Sequence, residues 1–241
     1  MSRLPPVCIL AGGRGSRLGA LTATTPKPLL EVAGEPFLCH QLRQLAAHGA
    51  TSAVLCTGYR GDQIAERLGA EQFGIRLAYS DDGPTPAGTL GAIRRALPLL
   101  GDRFLVLYGD TYLQVNFGDF AASWEQSGLP AAMTVYRNDG RFGPSNADFR
   151  APHVVRYDKH HPDASMRWID YGLEGFTAAV VADSDASMTD LAELHALLAN
   201  ARLLFGFEVV DRFYEIGTPA ALAETSAYLA AEGLRDLCSF E

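Results

Sequence analysis

Two spacings of apolar residues alternate along this chain, and they predict alternating strands and helices. Val7-Cys8-Ile9-Leu10-Ala11 is wholly apolar, the pattern of a strand buried on both faces. From Pro36 to His48, the apolar residues Phe37, Leu38, Leu42, Leu45 and Ala46 fall at helical spacing and stop at Gly49. Ser52 to Thr57 predicts a second strand, Asp62 to Leu68 a short helix ended by Gly69, and Ile75 to Tyr79 a third strand. A turn-rich loop, Ser80 to Gly88, leads to a helix near Leu90 to Leu97. Phe104 to Tyr108 then forms the most hydrophobic strand, which runs out into Gly109-Asp110.

The middle of the chain is less regular. Ala131 to Tyr136 and His153 to Tyr157 predict strands, separated by a polar, glycine-bearing loop from Asn138 to Ser145. Trp168 to Phe176 is aromatic and extended, and Asp190 to Ala199 is helical, with Ser187 and Asp190 spaced as a capping box. Leu204 to Val210 returns as a strand. Glu215-Ile216-Gly217-Thr218-Pro219 opens a last helix, with Thr218 as N-cap and Pro219 in the first position. Alternation of this kind predicts an α/β fold, a mainly parallel sheet with helices on both faces. Ligands gather beyond the carboxyl ends of such sheets, so the loop after Leu10 and the residue Asp110 are expected to face one crevice.

Composition narrows the chemistry. The 241 residues are 48% hydrophobic, enough for one well-buried domain, and the formal net charge is -8. That charge argues against nucleic acid or an anionic membrane as the main partner. The cysteines Cys8, Cys39, Cys56 and Cys238 show no metal-binding spacing; three sit in apolar runs, as in a reducing cytoplasm. No charged leader with a long apolar stretch opens the chain and no run approaches membrane-spanning length, so a soluble intracellular protein is expected.

In this acidic chain one stretch is conspicuously basic. After the first strand come Gly12, Gly13 and Gly15, with Arg14 and Arg17, and then Pro26-Lys27-Pro28. Glycines after a strand let peptide N–H groups approach an anion, and the three cations supply counter-charge, as a polyphosphate requires. The dinucleotide pattern G-x-G-x-x-G fails, because its third glycine falls on Leu18, and the P-loop signature G-K-[ST] is absent.

Leu10 to Leu30 closely resembles the loop of sugar-1-phosphate nucleotidyltransferases, which runs roughly L-A-G-G-x-G-[TS]-R-L-x-x-L-T-x-x-x-P-K-P-L. Ala20 stands at the family's frequent proline. The likeness continues in order through Pro86 to Ile93, similar to the base-reading loop, and Leu107-Tyr108-Gly109-Asp110, similar to a metal-binding G-D. Tyr157-Asp158-Lys159 resembles the E-K-P segment whose lysine holds the sugar phosphate, with His160 replacing the proline. Tyr214 to Pro219 resembles W-x-D-x-G-T-P, with Glu215 at the second metal acid. The overall pattern is most like short bacterial guanylyltransferases acting on mannose- or heptose-1-phosphate.

The resemblance implies a three-layer αβα sandwich with a Rossmann-like, mainly parallel mixed sheet, of the nucleotide-diphospho-sugar transferase type. It implies a single domain, with a nucleotide-binding part at about 1–115 and a sugar-phosphate part at about 116–241. Leu10, Ala11, Gly12, Gly13, Arg14, Gly15, Ser16, Gly88, Thr89 and Gly109 are then expected at the nucleotide. Asn146, Asp158, Asp170, Tyr171, Gly172 and Glu174 are expected at the sugar, and Arg17, Lys27, Asp110 and Lys159 at the reacting phosphates. Mg²⁺ is assigned to Asp110 and Glu215, since this ion uses one or two carboxylates plus phosphates. GTP is the first expectation for the nucleotide, with UTP, dTTP or CTP the alternatives. The length leaves no room for the appended β-helix domain of some relatives. Short relatives often form dimers, which makes a homodimer compatible with the chain.

One observation supports this without the family. Of 20 Lys+Arg residues only Lys27 and Lys159 are lysines, and both fall where the family uses lysine. Lysine is a compact point charge that arginine does not replace at a crowded phosphate. Plainer readings stand beside several assignments. Arg14 fits a solvated surface charge, Lys159 a surface lysine, Asp110 a turn cap, and Glu215 an acid favoured at a helix N-terminus. Asp81 and Asp82 read as solvated turn residues, His160 and His161 as a polar loop, and Trp168, Tyr171 and Phe176 as core. A silent nucleotide-sugar-binding regulator is a further alternative; such a protein should lose the metal acids or lysines, and here both survive.

Overall fold

The computed structural model describes residues 4–83 and 85–238. Strand β1 (Val7–Leu10) is followed by the glycine loop, two short 3-10 turns, and a ribbon of β2 (Glu31–Val32) and β3 (Glu35–Pro36). Then come α1 (Phe37–Ala47), β4 (Ser52–Thr57), α2 (Gly61–Leu68), β5 (Glu71–Gln72), β6 (Ile75–Asp81) and α3 (Gly88–Ala96). The chain continues through β7 (Arg103–Tyr108), β8 (Thr111–Tyr112), α4 (Phe117–Ser127), β9 (Ala131–Arg137), β10 (Ala147–Arg150) and β11 (His153–Tyr157). It closes with β12 (Trp168–Thr177), α5 (Ala178–Ala182), α6 (Leu191–Asn200), β13 (Leu204–Val209), β14 (Tyr214–Glu215) and α7 (Pro219–Cys238).

Ten strands form one mixed sheet in the order β10-β11-β13-β9-β12-β7-β1-β4-β6-β5. β1 pairs in parallel with both β4 and β7, and β4 in parallel with β6, while β12 runs antiparallel between β7 and β9. The expected mainly parallel sheet is therefore present. Alternate residues of a strand face opposite sides: Val7 and Ile9 join the core under α1, α2 and α4, whereas Cys8 joins the core under α3, α5 and α6. Helices cover both faces, giving three layers. Cys8, Cys39 and Cys56 are buried free thiols; the Cys238 side chain lies outside the described residues.

Besides the two-residue strands β2, β3, β5, β8 and β14, three elements were not expected. Helix α4 carries ordinary signals: Phe117, Phe120 and Trp124 are buried at helical spacing, Asn116 caps its N-terminus, and Gly128 ends it. Strand β10 is only four residues long, and helix α5 only five, too short for a period to show. The capping box of α6 also differs from expectation. It pairs Asp190 with Glu193, three residues inside the helix, while the Ser187 hydroxyl turns back to Asp185. Thr218 caps α7 as expected, accepting the Ala221 N–H at 3.2 Å. No helix among the described residues is long and apolar enough to cross a membrane.

Candidate active site

Because β1 lies between β4 and β7, their carboxyl ends deliver the glycine loop and Gly109-Asp110 side by side. The Gly109 N–H donates to the Leu10 carbonyl at 2.9 Å, and a Cβ on Gly109 would stand 2.8 Å from that oxygen. The glycine loop turns at Gly15, whose φ of 64° is left-handed, and the Thr22 hydroxyl pins the Gly15 carbonyl at 3.0 Å. Pro26 then starts a tight turn that buries Lys27 and aims its ammonium at Asp110, with which it forms an ion pair. The Thr111 hydroxyl donates to the other Asp110 oxygen at 3.1 Å.

These groups line a cavity of about 280 Å³. Leu10, Ala11, Gly12, Gly13, Gly15, Lys27, Gly88, Thr89, Gly109 and Asp110 all border it. Arg14 does not; its guanidinium lies 5.7 Å over the Tyr59 ring, beside a smaller adjoining recess. Ser16 begins the next turn and lines neither space. Asp82, read from sequence as a solvated turn residue, is 9% exposed and borders the cavity. Strand β6 runs further than expected, and the Asp82 N–H closes on the Thr57 carbonyl, drawing the side chain under Gly12 and Gly58. Burial raises its carboxyl pKa, an effect opposed by the Ala87 N–H and by Arg95.

A second cavity, of about 590 Å³, adjoins the first at Tyr108, which lines both. Arg17, Asn146, Lys159, Asp170 and Glu215 border it. Arg17 is thus on the side opposite to the glycine loop it follows in sequence. Glu215 arrives by the small ribbon of β14 with β8, which sets it opposite Thr111, and the Ile216 N–H donates to the Asp110 carbonyl at 3.0 Å. A Cβ on Gly217 would lie 2.8 Å from a Glu215 carboxylate oxygen and 3.0 Å from the Arg17 guanidinium. Glycine there leaves room for both.

The remaining sugar-side residues divide. The Asn146 side chain accepts the Asp170 N–H at 2.9 Å, fixing the cavity wall. The Asp158 carboxylate turns away to accept the His161 and His160 N–H groups, which lower its pKa. Gly172, at φ 101°, sits where β12 shifts register. Tyr171 and Glu174 do not reach the cavity. Tyr171 is buried with the core under α4, its hydroxyl accepting the Gln114 N–H, and Glu174 is fully buried on the other face. Core was already the plainer reading of Tyr171; the inward turn of Glu174 the sequence could not show, because the bulge between Asp170 and Glu174 resets which side chains share a face.

Beneath the cavity floor, Glu174 meets His195 of α6 at 3.4 Å and accepts the Tyr108 hydroxyl at 3.4 Å. Burial alone would lower the His195 pKa; the Glu174 and Asp170 carboxylates outweigh it and raise the value. Asp170, withdrawn from bulk water although it borders the cavity, is pushed up to about 7 by desolvation first and Glu174 second. Donor atoms of Asp170, Glu174 and His195 lie within 4.8 Å of one another. A histidine between two carboxylates suits a softer ion than Mg²⁺. Asp110 with Glu215, two hard oxygen donors bordering the cavities, fits Mg²⁺.

The Asp170 shift has a stability consequence. Its folded pKa is raised above the unfolded value, so its contribution favours folding at low pH and is lost as pH rises toward about 7. Asp170→Asn keeps an acceptor for the Gly172 N–H and removes the titration. Thermal midpoints at about pH 5 and about pH 8 should show the variant gaining on the wild type at the higher pH. An unchanged gap would contradict the buried carboxyl.

Two adjoining cavities, one glycine-walled with a buried lysine paired to a half-exposed aspartate and one bordered by the second lysine, define a phosphate-handling α/β protein. The comparisons name the family. The Nucleotidyl transferase family model matches residues 7–148, and the chain belongs to that family, as its sequence resemblance implied. It is 35% identical over 237 residues to the N-acetylmuramate alpha-1-phosphate uridylyltransferase of Neisseria meningitidis, covering 92% of this chain and 97% of that protein. It is 29% identical over 238 residues to the mannose-1-phosphate guanyltransferase of Kluyveromyces lactis, covering 95% of this chain but 66% of the fungal protein. Among solved structures, HddC from Yersinia pseudotuberculosis complexed with GMP-PN superposes with a TM-score of 0.78 at 23% identity, covering 94% of this chain and all of that one. A UDP-glucose pyrophosphorylase complexed with UDP-glucose gives 0.79 at 12% identity, covering 95% and 99%. Both show the same fold.

Proposed function

We propose that this enzyme transfers a nucleotidyl group from a nucleoside triphosphate to a sugar-1-phosphate, in the cytoplasm, releasing pyrophosphate. The observation that carries the reading is the joining, at Tyr108, of the Lys27–Asp110 cavity to the Lys159–Glu215 cavity. A single domain acts, its nucleotide part at about 1–115 and its sugar-phosphate part at about 116–241. An oxygen of the sugar phosphate attacks the α-phosphorus, a P–O bond forms in line, and the bond to the departing pyrophosphate breaks. The nucleophile is ionised at neutral pH and needs no general base.

The work left to the protein is bringing two anions together and neutralising them. Peptide N–H groups of Gly12, Gly13 and Gly15 meet the triphosphate, with Arg17 for the departing pyrophosphate across the cavity boundary. Lys27 neutralises charge at the α-phosphate, and Lys159 holds the sugar phosphate. Asp110 and Glu215 would hold Mg²⁺, which would supply several kcal/mol of charge stabilisation at the phosphates.

Guanine is the base implied by the sequence pattern. A specific observation favours uracil as the second reading: a relative matched over nearly its whole length is a uridylyltransferase. The deciding experiment assays pyrophosphate release from four nucleoside triphosphates against several sugar-1-phosphates, N-acetylmuramate and mannose derivatives included. Release with no pair would sink the enzymatic reading in favour of a silent binder. Lys159→Ala should raise KM for the sugar-1-phosphate about tenfold, the weight of one charge-assisted contact, with little change in KM for the nucleotide. An effect confined to the nucleotide would contradict the placement.

A further inference from the structure

We propose that Asp190 is a positioning residue that joins the two cavities, holding Lys159 for the sugar phosphate while itself held by Thr89 of the nucleotide cavity. This rests on the function proposed above. Its basis is an interlock of two helix N-termini far apart in sequence. The Leu90 N–H of α3 donates to the Thr189 carbonyl at 2.9 Å, just before α6. In return the Leu191 N–H of α6 donates to the Thr89 hydroxyl oxygen at 2.8 Å. Each helix thus satisfies an end group of the other.

Asp190 stands at the centre of this interlock. One carboxylate oxygen accepts the Ala192 N–H at 3.0 Å and the Thr89 hydroxyl at 3.2 Å. Those two bonds complete the cap, and asparagine, an equally good N-cap, could make them. The second oxygen and the negative charge are surplus to capping. They meet the Lys159 ammonium at 3.3 Å. Thr89 borders the nucleotide cavity and Lys159 the sugar cavity, so one side chain touches a residue of each. The Lys159–Asp190 pair is 48% and 36% exposed, and such pairs are weak enough to yield when a phosphate dianion competes. Asp190 therefore holds a flexible lysine near its place without locking it.

The test uses Asp190→Asn in the full chain, with initial rates at varied sugar-1-phosphate and varied nucleotide. The variant keeps the cap and the Thr89 bond, so its thermal midpoint should match the wild type. KM for the sugar-1-phosphate should rise about two- to fivefold, the range expected for losing one exposed ion pair, while KM for the nucleotide stays the same. In a Lys159→Ala background the same substitution should have no further effect. Thr89→Val, which frees the carboxylate from its hydroxyl tether, should raise the same KM non-additively with Asp190→Asn. An Asp190→Asn effect that persists without Lys159, or one shared equally by both substrates, overturns the proposal. If Lys159→Ala itself leaves sugar-1-phosphate use unchanged, the assignment of Lys159 fails and this proposal falls with it. If Lys159→Ala behaves as expected and Asp190→Asn is silent, only the positioning role fails.

Discussion

Asp110→Asn is expected to lower turnover roughly 10²-fold or more, the loss typical of removing one major electrostatic group from a transition state. The substitution preserves volume and the contact with the Thr111 hydroxyl, so it isolates charge. Among the described residues Asp110 is the acid that pairs with Lys27, and its side chain retains 31% of its exposure, open to a phosphate-bound ion. Asparagine would leave the Lys27 ammonium without its partner, yet the strand register behind it, fixed by β1 against β7, is untouched. Circular dichroism should therefore stay near wild type while pyrophosphate release falls, and the thermal midpoint should drop by the cost of leaving the buried Lys27 ammonium unpaired. A chelator should produce the same fall in the wild-type enzyme, and added Mg²⁺ should restore it. Near-normal turnover of the variant would remove Asp110 as a metal ligand, whatever the chelator does.

The parts of this site that were legible in sequence are those where a contiguous stretch carries the chemistry. The glycine loop, Lys27, the Gly88-Thr89 pair and Gly109-Asp110 each follow or precede a strongly patterned element, and all border one cavity. Strand β1 is wholly apolar and the interiors of β4 and β7 are too, because helices cover both faces, which makes them easy to read. What was not legible depends on direction. Arg17 follows Gly15 and precedes Gly19, both at positive φ, so the chain turns in ways that spacing does not encode. His195 and Glu174 sit in a helix and a strand whose patterns give no sign that two polar groups meet across the layer. Asp190 was visible only as a capping residue, since the use of its second oxygen depends on where Lys159 lies in space. Asp82 was misread because a short extension of β6 turns a solvent-facing turn into a cavity wall.

Gly88→Ala is expected to destabilise the protein by about 2–4 kcal/mol and to raise KM for the nucleotide by more than about tenfold. Two separate costs add. At φ 76° an alanine pays the left-handed penalty of any L-residue, on the order of 1 kcal/mol. Its Cβ would also stand 2.4 Å from the Thr189 carbonyl oxygen, backbone that cannot swing aside as a side chain can. Either α3 or the turn before α6 must retreat, stretching the Leu90 and Leu191 bonds that interlock them. Gly128→Ala separates the two costs, because Gly128 has φ 65° and nothing within 4 Å of its Cβ position. That control should lose only about 1 kcal/mol and leave the nucleotide KM alone. Thermal midpoints of the two variants, read beside their nucleotide KM values, decide the matter. Equal losses would mean that the helix N-termini do not pack as closely as their hydrogen bonds require.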